Sequence, residues 1–389
     1  MDHLHPAFAL ALFVEAFLVL HVIRRWIRIE LIPGRSSTID GLRGFLAFGV
    51  FVHHAAIWYV FLKTGSWVVP ESRLYSQLGQ ATVTLFFMIT GFLFYSKVLE
   101  SREKPIDWLR LYVSRCLRIL PLYVAILIFA ALLIVLIRYS GWVSPMVAPW
   151  NQKSLVGLIT AGVTWTLGYE WKFYYSLPLL ALTVGRVPWR WLVFSLLMLA
   201  ISGITKALDI HACSFVGGIA AALLGQVAAW RRFARSAWGS AGALLTLACA
   251  VAGFDTADVV APLVLMAMSF ALIANGAGMW GLLETELPRI FGEMTYSIYL
   301  LHGPLLFIAF HFVLGFDQGA NLNPMQHWSV IALLVPIVLA VSAFSYINLE
   351  APCMRKVSNC QAYLNKVGCL ISVWGGKLVK IFNILKSRI

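Results

Sequence analysis

Asp40-Gly-Leu-Arg43-Gly-Phe-Leu-Ala-Phe-Gly-Val-Phe-Val-His53-His54-Ala-Ala-Ile-Trp58 is an apolar run with a cation near its start and two imidazoles further along. It is long enough to cross a bilayer, and ionisable side chains inside hydrocarbon are costly, so they ask for a reason. Arg43 and His54 stand eleven positions apart. In an α-helix that is close to three turns, so both share one face, roughly 16 Å apart along the axis. With Arg43 at one membrane surface, His54 falls near the midplane of a core about 30 Å thick. His53 points about a quarter turn away and need not share its role. The face joins a surface cation suited to an anionic ligand to a buried base suited to taking a proton. A plainer account is also open: Arg43 as a positive-inside anchor, His54 as a satisfied histidine between helices.

Composition agrees with a membrane protein. The 389 residues are 60% hydrophobic and 12% charged, against about 45–50% and about 25% in globular domains. No polar block is long enough to fold alone. The net charge of +13 is spread over loops between apolar runs, which argues against a nucleic-acid partner. The six cysteines (Cys116, Cys213, Cys249, Cys353, Cys360 and Cys369) show no C-x-x-C pair and no metal spacing. They read as small apolar fillers.

Outward from the central run, the first apolar stretch covers Ala7 to about Val22 and is followed by Arg24, Arg25 and Arg28. It lacks a basic n-region and a cleavage signal, so it reads as a retained span with its N-terminus outside. Further spans are expected at Gly79–Tyr95, Ile119–Ile137, Glu170–Thr183, Trp191–Lys206, Ala212–Trp230, Ala237–Ala252, Val259–Met279, Phe291–Val313 and Ser329–Leu349. The segment from Ser140 to Trp165 reads as an external loop or a short re-entrant piece. The fold class is therefore all-α, a polytopic transmembrane helix bundle of about 10–11 spans. Basic loops place the C-terminus in the cytoplasm. The hairpin around Arg186–Arg190 is where a span is most easily misdrawn. Three parts are expected: 1–36, an extra helix and basic loop; 37–356, the main membrane domain; and 357–389, a basic amphipathic tail on the inner surface.

Four further patterns carry chemistry. In Arg115-Cys-Leu-Arg118-Ile-Leu-Pro121, two arginines share a helix face, and Pro121 can break the ladder just inside. Guanidinium pairs suit phosphate, although lipid-headgroup anchoring explains them too. In Trp165-Thr-Leu-Gly-Tyr-Glu170-Trp-Lys-Phe-Tyr174, Glu170 can bind sugar hydroxyls, assist a base, or pair with Lys172 or an arginine. Interfacial aromatic belts offer a bland account of Trp165, Trp171 and Tyr174. Tyr296, Tyr299 and His302 recur every third residue along one side of a helix, lining a cavity or joining helices. Glu350 in Asn348-Leu-Glu-Ala-Pro352 reads most simply as a helix-end acid neutralised by an arginine.

Taken in order, these patterns resemble the acyltransferase-3 family of polytopic membrane O-acyltransferases. The resemblance runs from about Ser37 to Arg355. It rests on Asp40-Gly-Leu-Arg43 with His54 eleven on, Phe86-Phe87-Met-Ile-Thr-Gly91-Phe92-Leu93, Arg115-x-x-Arg118 before Pro121, Trp165-x-Leu-x-x-Glu170-x-x-Phe-Tyr174, Tyr296-Ser-Ile-Tyr-Leu-Leu-His302 and Glu350-x-Pro352. It implies an acyl donor, usually acetyl-CoA from the cytoplasm, and transfer to a hydroxyl of an envelope glycan or lipid-linked precursor. His54 matches the family's proposed catalytic histidine, Arg43 its paired arginine, and Arg115 and Arg118 its arginine pair. The chain departs from the family by an extra apolar segment at its start. No esterase-like domain of the kind some relatives append is read, so an acyl relay is expected to end in the membrane part or in another protein.

The expected site assigns catalysis to His54 and Glu170, acyl-CoA binding to Arg43, Arg115 and Arg118, and substrate binding to Trp165, Tyr174, Tyr296 and His302. The expected co-substrate is acyl-CoA, with no metal. The other expected partners are a glycan or lipid-linked acceptor and the lipid bilayer, and the expected location is the bacterial inner membrane. Either His54 acts as general base, or it accepts the acyl group and passes it on. A membrane transporter or flippase using the same polar residues is the rival reading, against which no clear internal repeat is seen.

Overall fold

A computed structural model describes residues 2–27, 29, 31, 37–139, 152–185, 187–202 and 209–367. These residues form α-helices with short 3-10 and π segments, and among them there is no strand. Six helical stretches are long and apolar enough to cross a membrane: Pro6–Trp26, Ser37–Thr64, Arg73–Glu100, Trp108–Tyr139, Thr295–Val313 and Pro324–Val367. The chain is an all-α polytopic membrane bundle.

Helices α1 (Pro6–Trp26), α2 (Ser37–Thr64), α3 (Arg73–Glu100) and α4 (Trp108–Tyr139) contain the first four expected spans. Each runs beyond the apolar core of its motif. α2 starts at Ser37, with Asp40 in its first turn, where a carboxylate meets the positive end of the helix dipole. It is buried nearly all round, as a helix with no polar face must be at the centre of a bundle. α1 does not stand apart: Phe8, Leu12, Ala16 and Leu20 share one apolar core with α2 and with α15 (Pro324–Ser345).

The later spans depart from expectation. α5 (Gln152–Ile159) is a short helix whose Leu155, Leu158 and Ile159 are buried, so this part of the Ser140–Trp165 segment is covered by protein. α6 (Trp165–Ala181) holds the Glu170 motif in 17 residues. α7 (Trp189–Ser202), α10 (Ala237–Gly253) and α11 (Val260–Ala274) are short apolar helices. The expected Ala212–Trp230 span is not straight. It is α8 (Ile210–Leu224) followed by α9 (Ala228–Ala234), bent by 107° where Gly225 ends the first helix. The expected Phe291–Val313 span is split at Met294 into α12 (Glu286–Glu293) and α13 (Thr295–Ile308), the latter ending in a π segment at Ala309–Val313. Pro121 does not break α4, because a membrane helix can lose one ladder bond and keep its course. A five-residue α14 (Phe316–Ala320) precedes α15, which runs through a π segment, Tyr346–Glu350, into α16 (Ala351–Arg355). Residues 368–389, most of the expected amphipathic tail, lie outside the described residues.

Without a hydrophobic difference between helix and lipid, close packing holds such helices together, and small residues make it possible. α8 meets α3 in this way: a Cβ added at Gly218 would lie 2.0 Å from the Met88 carbonyl oxygen, and one at Gly91 2.4 Å from that of Phe215. Gly218→Ala therefore forces two backbones apart. It should lower the thermal midpoint of the purified protein by overpacking, at a cost of about 1–3 kcal/mol. An unchanged midpoint would contradict this contact. Between α2 and α3 the tie is polar. His53 Nδ1 donates to the Tyr75 carbonyl at 2.7 Å, so His53 has a structural task separate from its neighbour.

Candidate active site

The amino end of α2, the carboxyl end of α3, the amino end of α4, α6 and the amino end of α13 enclose a cavity of about 590 Å³. Arg43, Arg115, Arg118, Glu170, Tyr174 and Tyr296 all line it, so six of the nine assigned residues converge there from four helices. Lys97, Asp40, Glu100 and Tyr299 line it too, and none of these four had been assigned to the site. Lys97 sits in a dense basic loop by sequence, and only the extra turns of α3 carry it into the wall.

The cations are held by shape as well as charge. Arg115 packs its guanidinium carbon 5.1 Å from the Phe94 ring centroid, and Lys97 Nζ lies 5.5 Å from the same ring. A cation against an aromatic face keeps its charge while losing rotamer freedom. Arg43 Nη1 lies 3.8 Å from Asp40 Oδ1, one turn back on α2, a loose contact. Glu170 Oε2 accepts from the Tyr174 hydroxyl at 2.9 Å across one turn of α6. The Tyr296 hydroxyl donates to the Ile119 carbonyl at 2.7 Å, fixing α13 to α4 beside Arg118.

His54 and His302 do not line this cavity. They lie behind its wall, buried, and in contact with each other: His302 Nε2 stands 3.0 Å from His54 Nδ1. His54 Nδ1 is also 3.0 Å from the Val50 carbonyl, and His302 Nδ1 is 3.0 Å from the Ile298 carbonyl. Trp67, from the connection after α2, stacks on the His54 ring at 6.2 Å. Tyr299 belongs both to the cavity wall and to an apolar cluster with Val50, Leu122 and Val163, and its ring lies 6.3 Å from that of His302. Its hydroxyl is held by Thr166 at 3.0 Å and by the Val163 carbonyl at 3.2 Å.

Trp165 falls elsewhere. It is 44% exposed and packs 5.0 Å from His211 and 5.5 Å from Tyr169, whose hydroxyl donates to Asp209. His211 lies 3.7 Å from Asp258, and Arg73 at the start of α3 pairs with Asp255 at 2.5 Å. Trp165 and Tyr169 also pack on Phe87 of the cavity wall, at 6.3 and 5.7 Å, so this cluster borders the cavity without lining it. Glu350 is buried and accepts a hydrogen bond from the Ser297 hydroxyl, and Arg118 and Arg43 are near enough to act on its charge, as expected of an acid neutralised by arginine. Glu350 is the last residue of the π segment Tyr346–Glu350 and meets α13 through Ser297.

A family model described as an acyltransferase domain, that of acyltransferase-3, matches residues 37–347. The chain belongs to the acyltransferase-3 family. Among curated proteins, acyltransferase MdmB of Streptomyces mycarofaciens is 22% identical over 377 residues, covering 82% of this chain and 92% of that protein. No solved structure matches. The match spans the cavity, both histidines and every arginine of its wall. This acyltransferase is a membrane enzyme that transfers groups other than amino-acyl groups.

Proposed function

We propose that this acyltransferase moves an acyl group, acetyl in the first instance, from acyl-CoA to a hydroxyl of an envelope glycan or glycolipid in the bacterial inner membrane. The observation that carries the reading is the meeting of Arg43, Arg115 and Arg118 on one cavity wall, with His54 three turns further along the helix that bears Arg43.

Phosphates are what clustered guanidinium groups bind best, through paired, charge-assisted hydrogen bonds. Arg43, Arg115 and Arg118 hold the anionic end of the donor at the cytoplasmic mouth, which puts the N-terminus outside and the C-terminus inside. Tyr174 and Tyr296 flank the path of the thioester arm. Tyr299 joins the cavity wall to the histidine pair, its ring 6.3 Å from that of His302, and the thioester approaches His54 past it. His54 then takes the proton of the acceptor hydroxyl as the new C–O bond forms and the C–S bond breaks, and it returns that proton to the departing thiolate. Alternatively, its imidazole carries the acyl group between donor and acceptor. Glu170 balances the positive wall and orients Tyr174.

Purified protein given acetyl-CoA and glycan or lipid acceptors should release free thiol in proportion to acylated product. Movement of acceptor across a vesicle membrane with no thiol released would overturn the proposal in favour of transport. Arg115→Ala and Arg118→Ala should each weaken donor binding about tenfold or more, because a hydrogen bond to a charged group contributes about 1.5–3 kcal/mol. Donor binding should also weaken as salt rises. Binding that ignores both the substitutions and the salt would contradict a phosphate clamp.

A further inference from the structure

Two imidazoles in direct contact inside a membrane bundle are unusual enough to ask what the second one does. Their hydrogen bonds settle where the protons sit. The Ile298 carbonyl only accepts, so His302 Nδ1, 3.0 Å away, carries a hydrogen. Neutral His302 then has its lone pair on Nε2. That atom faces His54 Nδ1, which also faces the Val50 carbonyl. Both neighbours of His54 Nδ1 are acceptors, so it too carries a hydrogen. The Val50 carbonyl already receives the backbone N–H of residue 54 within α2, whereas His302 Nε2 has no other partner among the described residues.

We propose that His302 is the positioning residue of His54: it accepts the Nδ1 hydrogen and so leaves the basic lone pair on Nε2. It does the work that a carboxylate does in a triad, without placing a second charge in the membrane. This rests on the reading of His54 as the base. When His54 takes the acceptor's proton on Nε2, the imidazolium donates more strongly through Nδ1 to His302. His302 stays neutral throughout, and its own Nδ1 hydrogen, held on the Ile298 carbonyl, polarises in step. The proton goes from hydroxyl to His54 Nε2 and from there to thiolate, and none is gained or lost at His302. Without His302, the Nδ1 hydrogen keeps only the Val50 carbonyl, which is already engaged by a backbone N–H, so this tautomer is held less firmly and the imidazolium loses its better acceptor. A merely structural histidine would instead tie α13 to α2 and leave the tautomer of residue 54 unaffected.

The test uses the full-length protein in nanodiscs. His302→Ala should lower kcat about 10²-fold, the lower end of what a positioned proton acceptor contributes, while the KM for acetyl-CoA stays near the wild-type value. Gln at this position can offer its side-chain oxygen close to where Nε2 stood, so His302→Gln should recover most of that loss. Imidazole ¹⁵N spectra, with His54 assigned by its loss in His54→Gln, should show protonated Nδ1 and bare Nε2 in wild type and in His302→Gln, and a mixture in His302→Ala. Wild-type turnover in His302→Ala would overturn the proposal, as would a His54 tautomer unchanged by that substitution. Activity that survives His54→Ala would sink the base assignment instead, while the spectra still report on the pair without turnover.

Discussion

His54→Ala is expected to abolish acyl transfer while leaving acetyl-CoA bound. The imidazole lies apart from the arginine wall, about 16 Å along α2 from Arg43 by helix rise, so removing it should not disturb the grip on donor phosphates. The loss should be at least the 10²–10⁴-fold that general acid–base catalysis contributes, and larger if the acyl group passes through the ring. His54→Gln keeps much of the side-chain volume and should be equally inactive, because an amide is no base. The check is steady-state thiol release beside equilibrium donor binding on the same preparation. A His54→Ala protein with normal turnover removes the mechanism outright. One that has lost donor binding as well places the histidine in the donor site instead.

The second large effect concerns the crossing that presents Arg43. A Cβ added at Gly292 would sit 1.7 Å from the Asp40 carbonyl oxygen, and one at Gly41 would sit 2.0 Å from that of Leu283. These are backbone contacts, so no side chain can swing aside to relieve them. Gly292→Ala must push α12 off the first two turns of α2, where Asp40 and Arg43 sit. The expected cost is at or above the usual 1–3 kcal/mol of overpacking, seen as poor folding yield and a lower thermal midpoint in detergent. The surviving fraction should bind acetyl-CoA weakly. Gly168→Ala is the matched control: nothing lies within 4 Å of a Cβ there, and in the first turn of α6 the change should be neutral or slightly stabilising. If both variants melt with the wild type, the two helices do not cross as closely as described.

Legibility in the sequence divides along physical lines. Apolar runs are local, and the long ones at 6–26, 37–64, 73–100 and 108–139 became helices where expected, because a membrane segment must satisfy its own backbone. Breaks inside apolar runs were not legible. The bend at Gly225 and the split at Met294 depend on which neighbours cover the freed carbonyls and amides, and hydropathy does not record that. Lys97 and Glu100 were hidden for a related reason: they follow the apolar part of α3, and only the continuation of that helix brings them to the cavity. Trp165 was drawn toward the site by its motif, yet one residue on a helix sets which side a ring faces. Thr166 lines the cavity, whereas Trp165 packs on the outside of its wall, against Phe87 and His211.

The pairing of His54 with His302 could not be read at all, although each histidine was singled out. A signal existed: two imidazoles in separate apolar helices each need a polar partner, and each can be the other's. They stand 248 residues apart, and no periodicity links them.

By itself the sequence determined that the chain is a helical membrane protein, that Arg43 and His54 ride one helix, and that arginines on α4 repeat at the spacing of a shared face. Those properties follow from hydropathy and helix pitch, which are local. Only the tertiary structure decided that the arginines of two helices close on one cavity, that the histidines meet behind its wall, and that Trp165 belongs to another cluster. Such facts depend on how helices cross, which is fixed by steric fit at places like Gly292 and Gly218 rather than by any pattern along the chain.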